Sequence, residues 1–137
     1  VAFVAYNQFS GNENEDVDTQ EEIEKIKTQS DIVIVFSHWG VEYLGTASNY
    51  QKSLAYQFVD AGADLVIGSH PHVVEPSEIY KGKKIYYSLG NFIFDQYFEE
   101  NVRNGLIVQV KINKQTKEMQ FEEKPTYLEK GGQTIFK

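Results

Sequence analysis

The first half of the chain is organised around three short apolar runs. Residues 1–6 contain the first of these runs, and residues 32–36 and 65–67 are two more, rich in β-branched side chains. Continuous apolar runs of this length are typical of strands that are covered on both faces, as in parallel sheets. We therefore predict a buried strand at each of these positions.

Two amphipathic segments lie between the predicted strands. The first is predicted to begin near Asp18, because Thr19 and Glu22 have the spacing of a capping box. The second is predicted to begin at Ser48, again with capping-box spacing, and to end at Gly62, which is a suitable C-cap residue. Strand and helix patterns that alternate in this way predict a βαβαβ unit with a parallel sheet.

The second half changes to alternating polar and apolar positions separated by short polar turns. This pattern predicts one β-hairpin with strands at 77–80 and 84–87, and another with strands at 105–113 and 118–124. The predicted fold class is therefore α/β, with a βαβαβ unit followed by antiparallel β-hairpins. No linker or internal repeat divides the sequence, so residues 1–137 are predicted to form a single domain unit.

Composition narrows the range of partners and cofactors. The chain has 137 residues, a formal net charge of -7 and no cysteine. The negative charge disfavours nucleic acid as a general partner, and the lack of thiols excludes disulfides and thiolate metal sites. No apolar run approaches the ~20 residues of a membrane span. Because the sequence begins at Val1, without Met and within an apolar run, we interpret it as a fragment whose N-terminal part is absent.

All three histidines follow directly after predicted buried strands. His38 follows the second strand, and His70 and His72 follow the third. A βαβ crossover is almost always right-handed and brings its strands side by side, so both loops are expected at the carboxyl edge of the sheet, where ligands bind. Pro71 favours an extended backbone that points His70 and His72 to the same side. A single loop histidine is usually structural, but this cluster indicates a metal or phosphate site.

Three further residues near the histidines each have two interpretations. Glu42 is either a general acid/base or histidine-orienting carboxylate, or a solvated loop residue. Trp39 either lines the site and stacks on a substrate, or packs in the core. Asn91 follows Gly90 in a predicted turn, and turn chemistry alone explains both residues.

Three motifs carry a resemblance to a known family. SHWGVEY (residues 37–43), DAGADLVIGSHPHVVEP (residues 60–76) and YYSLGNFIFDQ (residues 86–96) resemble, in this order, the CapA family of poly-γ-glutamate capsule proteins. CapA-like domains belong to the calcineurin-like metallophosphoesterases. The resemblance implies a sandwich of two β-sheets flanked by helices, with a two-metal site at the sheet edge. It also implies that this chain is the C-terminal part of such a domain.

The resemblance implies roles for individual residues as well. His38 and His70 would bind one divalent ion and His72 a second, with Mn, Fe or Zn as the metals. His72 or Glu42 would protonate the leaving group, and Asn91 would border the substrate. The superfamily's early motifs, which supply bridging Asp and Asn ligands, are not present in this sequence. The chain alone is therefore expected to be catalytically incomplete.

Two functions remain open from the sequence. The first is metal-assisted hydrolysis or transfer, on a phosphoester or an amide of a γ-linked glutamate polymer, in the synthesis, export or processing of an envelope polymer. The second is a non-catalytic envelope-assembly protein with a vestigial metal site. Both predict an extracytoplasmic, envelope-associated location. Expected partners are the missing N-terminal half of the domain, capsule-synthesis membrane proteins and an anionic polymer, and uncovered apolar surface predicts a homo-oligomer or a domain swap.

Overall fold

The elements of the fold follow the predicted order. In the computed structural model, which describes residues 1–137, the first half consists of β1 (Ala2–Asn7), α1 (Glu15–Lys27), β2 (Val33–His38), α2 (Asn49–Ala61) and β3 (Leu65–Ser69). The second half consists of β4 (Ser77–Tyr80), β5 (Lys83–Tyr86), a short 3-10 helix (Asn101–Arg103), β6 (Asn104–Ile112), β7 (Met119–Leu128) and β8 (Thr134–Phe136). The predicted α/β class, with a βαβαβ unit followed by antiparallel hairpins, is confirmed.

The strands form two sheets. The larger sheet has five strands in the order β1-β2-β3-β5-β4, in which β1, β2, β3 and β5 are parallel and β4 pairs antiparallel with β5. The smaller sheet has three antiparallel strands in the order β6-β7-β8. β5 therefore extends the parallel sheet, a placement that a hairpin pattern alone does not specify. β8 was not predicted, because such a short strand gives no periodic signal.

Each face of the larger sheet carries another layer of secondary structure, which packs onto it through hydrophobic side chains. On one face, α1 and α2 pack onto the strands through a core that includes Ile23, Phe58 and Val35. On the opposite face, Leu65 and its neighbours pack against the smaller sheet, which contributes Phe121 among others. The result is a helix layer, a mostly parallel sheet and an antiparallel sheet stacked in that order.

Part of the larger sheet has no cover within this chain. Phe3 on β1 and Phe36 on β2 lie on the face opposite the helices, are 66% and 47% exposed, and have ring centroids 6.0 Å apart. β1 is also the edge strand of its sheet, so one side of its backbone is unpaired. Exposed aromatic side chains beside an open edge are characteristic of an interaction surface.

The two helices begin in different ways. α2 has the predicted capping box, in which the Ser48 hydroxyl accepts from the Gln51 N–H and the Gln51 side chain accepts from the Ser48 N–H. α1 begins at Glu15 rather than near Asp18, and Thr19 is buried inside it, so the capping box predicted there is wrong. The earlier start puts acidic side chains in the first turn, where the helix dipole favours them. Neither helix is both long and apolar enough to cross a bilayer.

Candidate metal centre at the carboxyl edge of the parallel sheet

The ends of β2 and β3 bring the histidines together. In the parallel pairing of these strands, His38 stands opposite Ser69, and the Ser69 carbonyl accepts from the Trp39 N–H at 3.1 Å. The chain continues into His70, whose ring centroid lies 4.7 Å from that of His38. The ring of His72 lies 6.1 Å from that of His70. All three rings therefore occupy one region of the sheet edge, as the βαβ crossover leads one to expect.

The backbone from His70 to His72 is not extended, so this part of the prediction is wrong. Both residues have positive φ angles, 100° at His70 and 62° at His72. Residues other than glycine rarely adopt this region, because Cβ crowds the backbone there. The Pro71 carbonyl accepts from the Tyr43 N–H at 2.8 Å, which ties the loop after β3 to the loop after β2. Unfavourable backbone conformations of this kind cluster at functional sites.

His70 is partly covered by an aromatic side chain. The Phe9 ring centroid lies 4.5 Å from that of His70 and 6.0 Å from that of His38. Burial lowers the pKa of His70 below its usual value, and the neighbouring His38 lowers it further. The imidazole is therefore kept neutral at pH 7, and a neutral imidazole has the free electron pair that a metal ion requires.

His72 is fixed by neighbours on both its edges and its faces. Its Nδ1 lies 2.9 Å from Oδ1 of Asn91, and its Nε2 lies 3.7 Å from Oε1 of Glu42. The Tyr43 ring stacks on the imidazole with centroids 5.8 Å apart, and the Phe94 centroid is 5.0 Å away. Because 3.7 Å exceeds hydrogen-bond distance, Nε2 and the Glu42 carboxylate face each other without a direct hydrogen bond.

The two residues that were candidates for substrate contact are both buried. Trp39 is 0% exposed, and its Nε1–H donates to the Tyr87 carbonyl at 2.9 Å. It therefore packs in the core, which is the alternative interpretation of this residue. Asn91 is 8% exposed, and each of its polar atoms has a protein partner, His72 and Val102 among them. The structure leaves neither side chain free to meet a substrate.

Sequence analysis placed Gly68 in a motif without its packing role, and it missed the buried Glu75. Gly68 lets Trp39 approach β3, because a Cβ at this position would stand 2.4 Å from the Trp39 Nε1. Glu75 is 3% exposed; one carboxylate oxygen accepts from Gln51 Nε2 at 2.9 Å, and the other has no hydrogen-bond partner. Burial raises the pKa of Glu75 to about 7. Two sequence signals could have pointed to these residues. One is a glycine within a strand, and the other is a carboxyl group inside an apolar run.

The spacing of the histidine rings distinguishes pairs that fit one ion from pairs that do not. Two imidazoles that bind one ion at about 2.1 Å per nitrogen, with ligand angles between square and tetrahedral, have centroids about 4.5–5.2 Å apart. His38 and His70, at 4.7 Å, fit this range, whereas His70 and His72, at 6.1 Å, do not. No group of three or more His, Cys, Asp or Glu side chains is arranged to hold a metal ion. The chain therefore offers a two-histidine pair and a separate His72.

The fold indicates the class of the protein, and comparison with known proteins gives the family. A parallel sheet with histidines at its carboxyl edge and an antiparallel sheet on one face is consistent with the C-terminal part of a metallophosphoesterase-like α/β domain. Residues 2–96 match the family described as bacterial capsule synthesis protein PGA_cap, and the chain belongs to this family.

Several curated relatives are similar over part of their length. The PGA biosynthesis protein CapA of Bacillus subtilis (strain 168) is 48% identical over 92 residues, which are 67% of this chain and 24% of that protein. The capsule biosynthesis protein CapA of Bacillus anthracis is 46% identical over 81 residues, or 59% of this chain and 20% of that protein. A probable polyglutamine synthesis accessory protein of Mycobacterium tuberculosis (strain CDC 1551 / Oshkosh) is 38% identical over 69 residues, or 50% and 18%. The matched region thus spans about a quarter or less of these relatives.

Proposed function

We propose that this chain forms the histidine-bearing part of a divalent-metal site in a capsule poly-γ-glutamate biosynthesis protein. Membership of the PGA_cap family and the names of the CapA relatives support the polymer and the process. The observation that carries the metal assignment is the 4.7 Å separation of the His38 and His70 rings at the sheet edge. The proposed role is in synthesis, export or processing of the polymer, at the cell envelope and outside the cytoplasm.

Each polar side chain of the site has a proposed task. His38 and His70 would hold one divalent ion, which would be Mn, Fe or Zn, and Nε2 of His72 would contribute to a second. When bound, such ions stabilise a developing oxyanion and lower the pKa of a bound water. The Glu42 side chain is 51% exposed and lies beside His72. Glu42 or His72 is therefore the proposed proton donor to a leaving group.

An anionic polymer requires a cation at this site. The chain carries a formal net charge of -7, and Glu42 adds a negative charge beside His72. The electrostatic field of this chain therefore repels a polyglutamate chain. A bound divalent ion is the largest local charge in such a site and supplies the attraction that the side chains do not.

Catalysis is proposed to need a further polypeptide segment. This segment is either the N-terminal part of the same domain or the same part of a second copy, exchanged by domain swapping. The exposed pair Phe3 and Phe36 and the open edge of β1 support this proposal, because they form the surface on which the segment would pack. Capsule-synthesis membrane proteins are the proposed partners of the assembled protein.

Equilibrium dialysis against Zn, Mn or Fe(II), followed by elemental analysis, tests the metal assignment. We expect about one ion per chain from the fitting pair. The His70→Ala variant is expected to lose that ion, and His72→Ala to retain it, because His72 lies too far from His70 to share it. Asn14→Ala, on the surface before α1, is the control for nonspecific loss.

The same measurement separates the two functions left open by the sequence. An ion that the wild-type chain binds and His70→Ala does not bind would support metal-assisted chemistry and justify a screen of phosphoester and γ-glutamyl amide substrates. No ion in the wild-type chain with any of the three metals, either alone or together with the proposed N-terminal segment, would overturn the metal assignment. The non-catalytic envelope-assembly function would then be the better proposal.

A further inference from the structure

The orientation of the Asn91 side-chain amide is determined by its neighbours. Its Nδ2 lies 3.0 Å from the Val102 carbonyl oxygen and 3.3 Å from Oε1 of Gln96. A backbone carbonyl only accepts hydrogen bonds, so the atom that faces Val102 must be the NH2 group. The Oδ1 atom therefore faces His72, where it lies 2.9 Å from Nδ1.

The reverse orientation of this amide is excluded by the same contacts. Turning the amide over would put two oxygen atoms 3.0 Å apart, with Oδ1 against the Val102 carbonyl. Asn91 is 8% exposed and Val102 is fully buried, so solvent does not relieve that repulsion. The backbone is also fixed, because Gly90 pairs with Gly105 in an isolated antiparallel bridge.

The plane of the His72 ring is fixed by a closed set of contacts. The Gln96 side chain, which accepts from Asn91, donates in turn to the Tyr43 hydroxyl at 3.0 Å. The Tyr43 ring then stacks on His72 at an interplanar angle of 25°. Contacts therefore run from His72 to Asn91, Gln96 and Tyr43 and back to His72, so the imidazole does not turn without breaking one of them.

We infer that Asn91 is a positioning residue, which holds the proton of neutral His72 on Nδ1 and presents the Nε2 electron pair to the site. Without an acceptor beside Nδ1, either ring nitrogen can carry that proton. With the acceptor in place, Nε2 faces Oε1 of Glu42 at 3.7 Å. Two electron-pair donors that face each other at this distance suit a cation between them. Only that last step rests on the proposed function; the position of the proton does not.

The tautomer of His72 can be measured directly in the metal-free chain. Long-range 1H–15N spectra of 15N-histidine-labelled protein distinguish a protonated Nδ1 from a protonated Nε2; they are recorded at about pH 8.5, well above the ordinary imidazole pKa of ~6.5. The chain has three histidines, and a His72→Gln variant assigns the His72 signals. We expect wild-type His72 to carry its proton on Nδ1. In Asn91→Ala the Nδ1-to-Nε2 proton ratio is expected to fall about tenfold, as the loss of one hydrogen bond predicts.

One further variant separates positioning from a general loosening of the loop. Gln96→Ala removes one partner of the Asn91 amide but leaves the Val102 contact, so the proton is expected to stay on Nδ1. The tautomer of wild-type His72 needs no variant to be folded, so it tests the inference even if Asn91→Ala fails to fold. A wild-type His72 with its proton on Nε2, or an Asn91→Ala variant with an unchanged tautomer, would overturn the inference. Neither outcome depends on whether a metal binds.

Discussion

Replacing Glu75 by glutamine is expected to stabilise the protein at alkaline pH. Burial raises the pKa of Glu75 from 4.5 to about 7. Because the folded state holds this proton more tightly than the unfolded state, the stabilising contribution is present below about pH 4.5. It is lost as pH rises through about 7. A difference of about 2.5 pKa units at 1.36 kcal/mol each gives a loss of about 3 kcal/mol by pH 8.

Urea denaturation of the two proteins at about pH 5 and pH 8 measures this effect. Trp39 is the only tryptophan and is fully buried, so its fluorescence reports on the core directly. The Glu75→Gln variant keeps an uncharged group that can accept from Gln51. We expect the two proteins to differ by less than about 1 kcal/mol at pH 5 and the variant to be more stable by about 3 kcal/mol at pH 8.

The difference between the two proteins is the quantity that decides, since other groups also contribute to the pH dependence. Glu22→Gln, on the exposed surface of α1, is the control and is expected to change the free energy of unfolding by less than about 0.5 kcal/mol at either pH. If wild type and Glu75→Gln keep the same stability difference from pH 5 to pH 8, burial does not hold Glu75 protonated. Its support of Gln51 would then need another explanation.

Three further substitutions test contacts that stabilise the fold, each by urea denaturation. Burial raises the pKa of Asp64, but hydrogen bonds from two lysines and a backbone N–H lower it overall. Its stabilising contribution is therefore present above the unfolded pKa and lost as pH falls through the folded value. Asp64→Asn should lower the free energy of unfolding by about 2 kcal/mol at pH 7 and by less at about pH 3. The exposed Asp60→Asn is the control and should lower it by less than about 0.5 kcal/mol. An equal loss from Asp64→Asn at both pH values would contradict the assignment of Asp64. Gly68→Ala should cost about 3 kcal/mol, since its Cβ would stand 1.9 Å from the Tyr87 carbonyl oxygen. Ser48→Ala should cost about 1 kcal/mol through loss of the capping box, and unchanged midpoints would count against either assignment.

The parts of the fold that the sequence predicted correctly depend on short-range patterns. The apolar runs at residues 32–36 and 65–67 became β2 and β3, and Ser48 with Gln51 formed the predicted cap of α2. The parallel pairing expected of a βαβ unit then placed His38 beside His70 without any knowledge of side-chain contacts. Local periodicity and one topological rule were therefore enough to locate the histidine cluster.

Distant contacts determine the features that local patterns left open or predicted wrongly. Trp39 is buried because the Tyr87 carbonyl, far along the chain, accepts its Nε1–H and because Gly68 leaves room for the indole. His70 has a positive φ although Pro71 favours an extended residue before it, since the loop after β3 is tied to the loop after β2 through the Tyr43 N–H. In both cases tertiary contacts override a local preference.

The role of Asn91 shows how far the site extends beyond its histidines. The family match ends at residue 96, yet the amide of Asn91 is oriented by the carbonyl of Val102, which lies past that boundary. Val102 belongs to the short 3-10 helix that leads into β6 and the smaller sheet. The atom that His72 presents to the site is thus determined through the connection between the two sheets. A change in how that connection packs is therefore expected to alter the chemistry of His72 without any change in the residues of the three motifs.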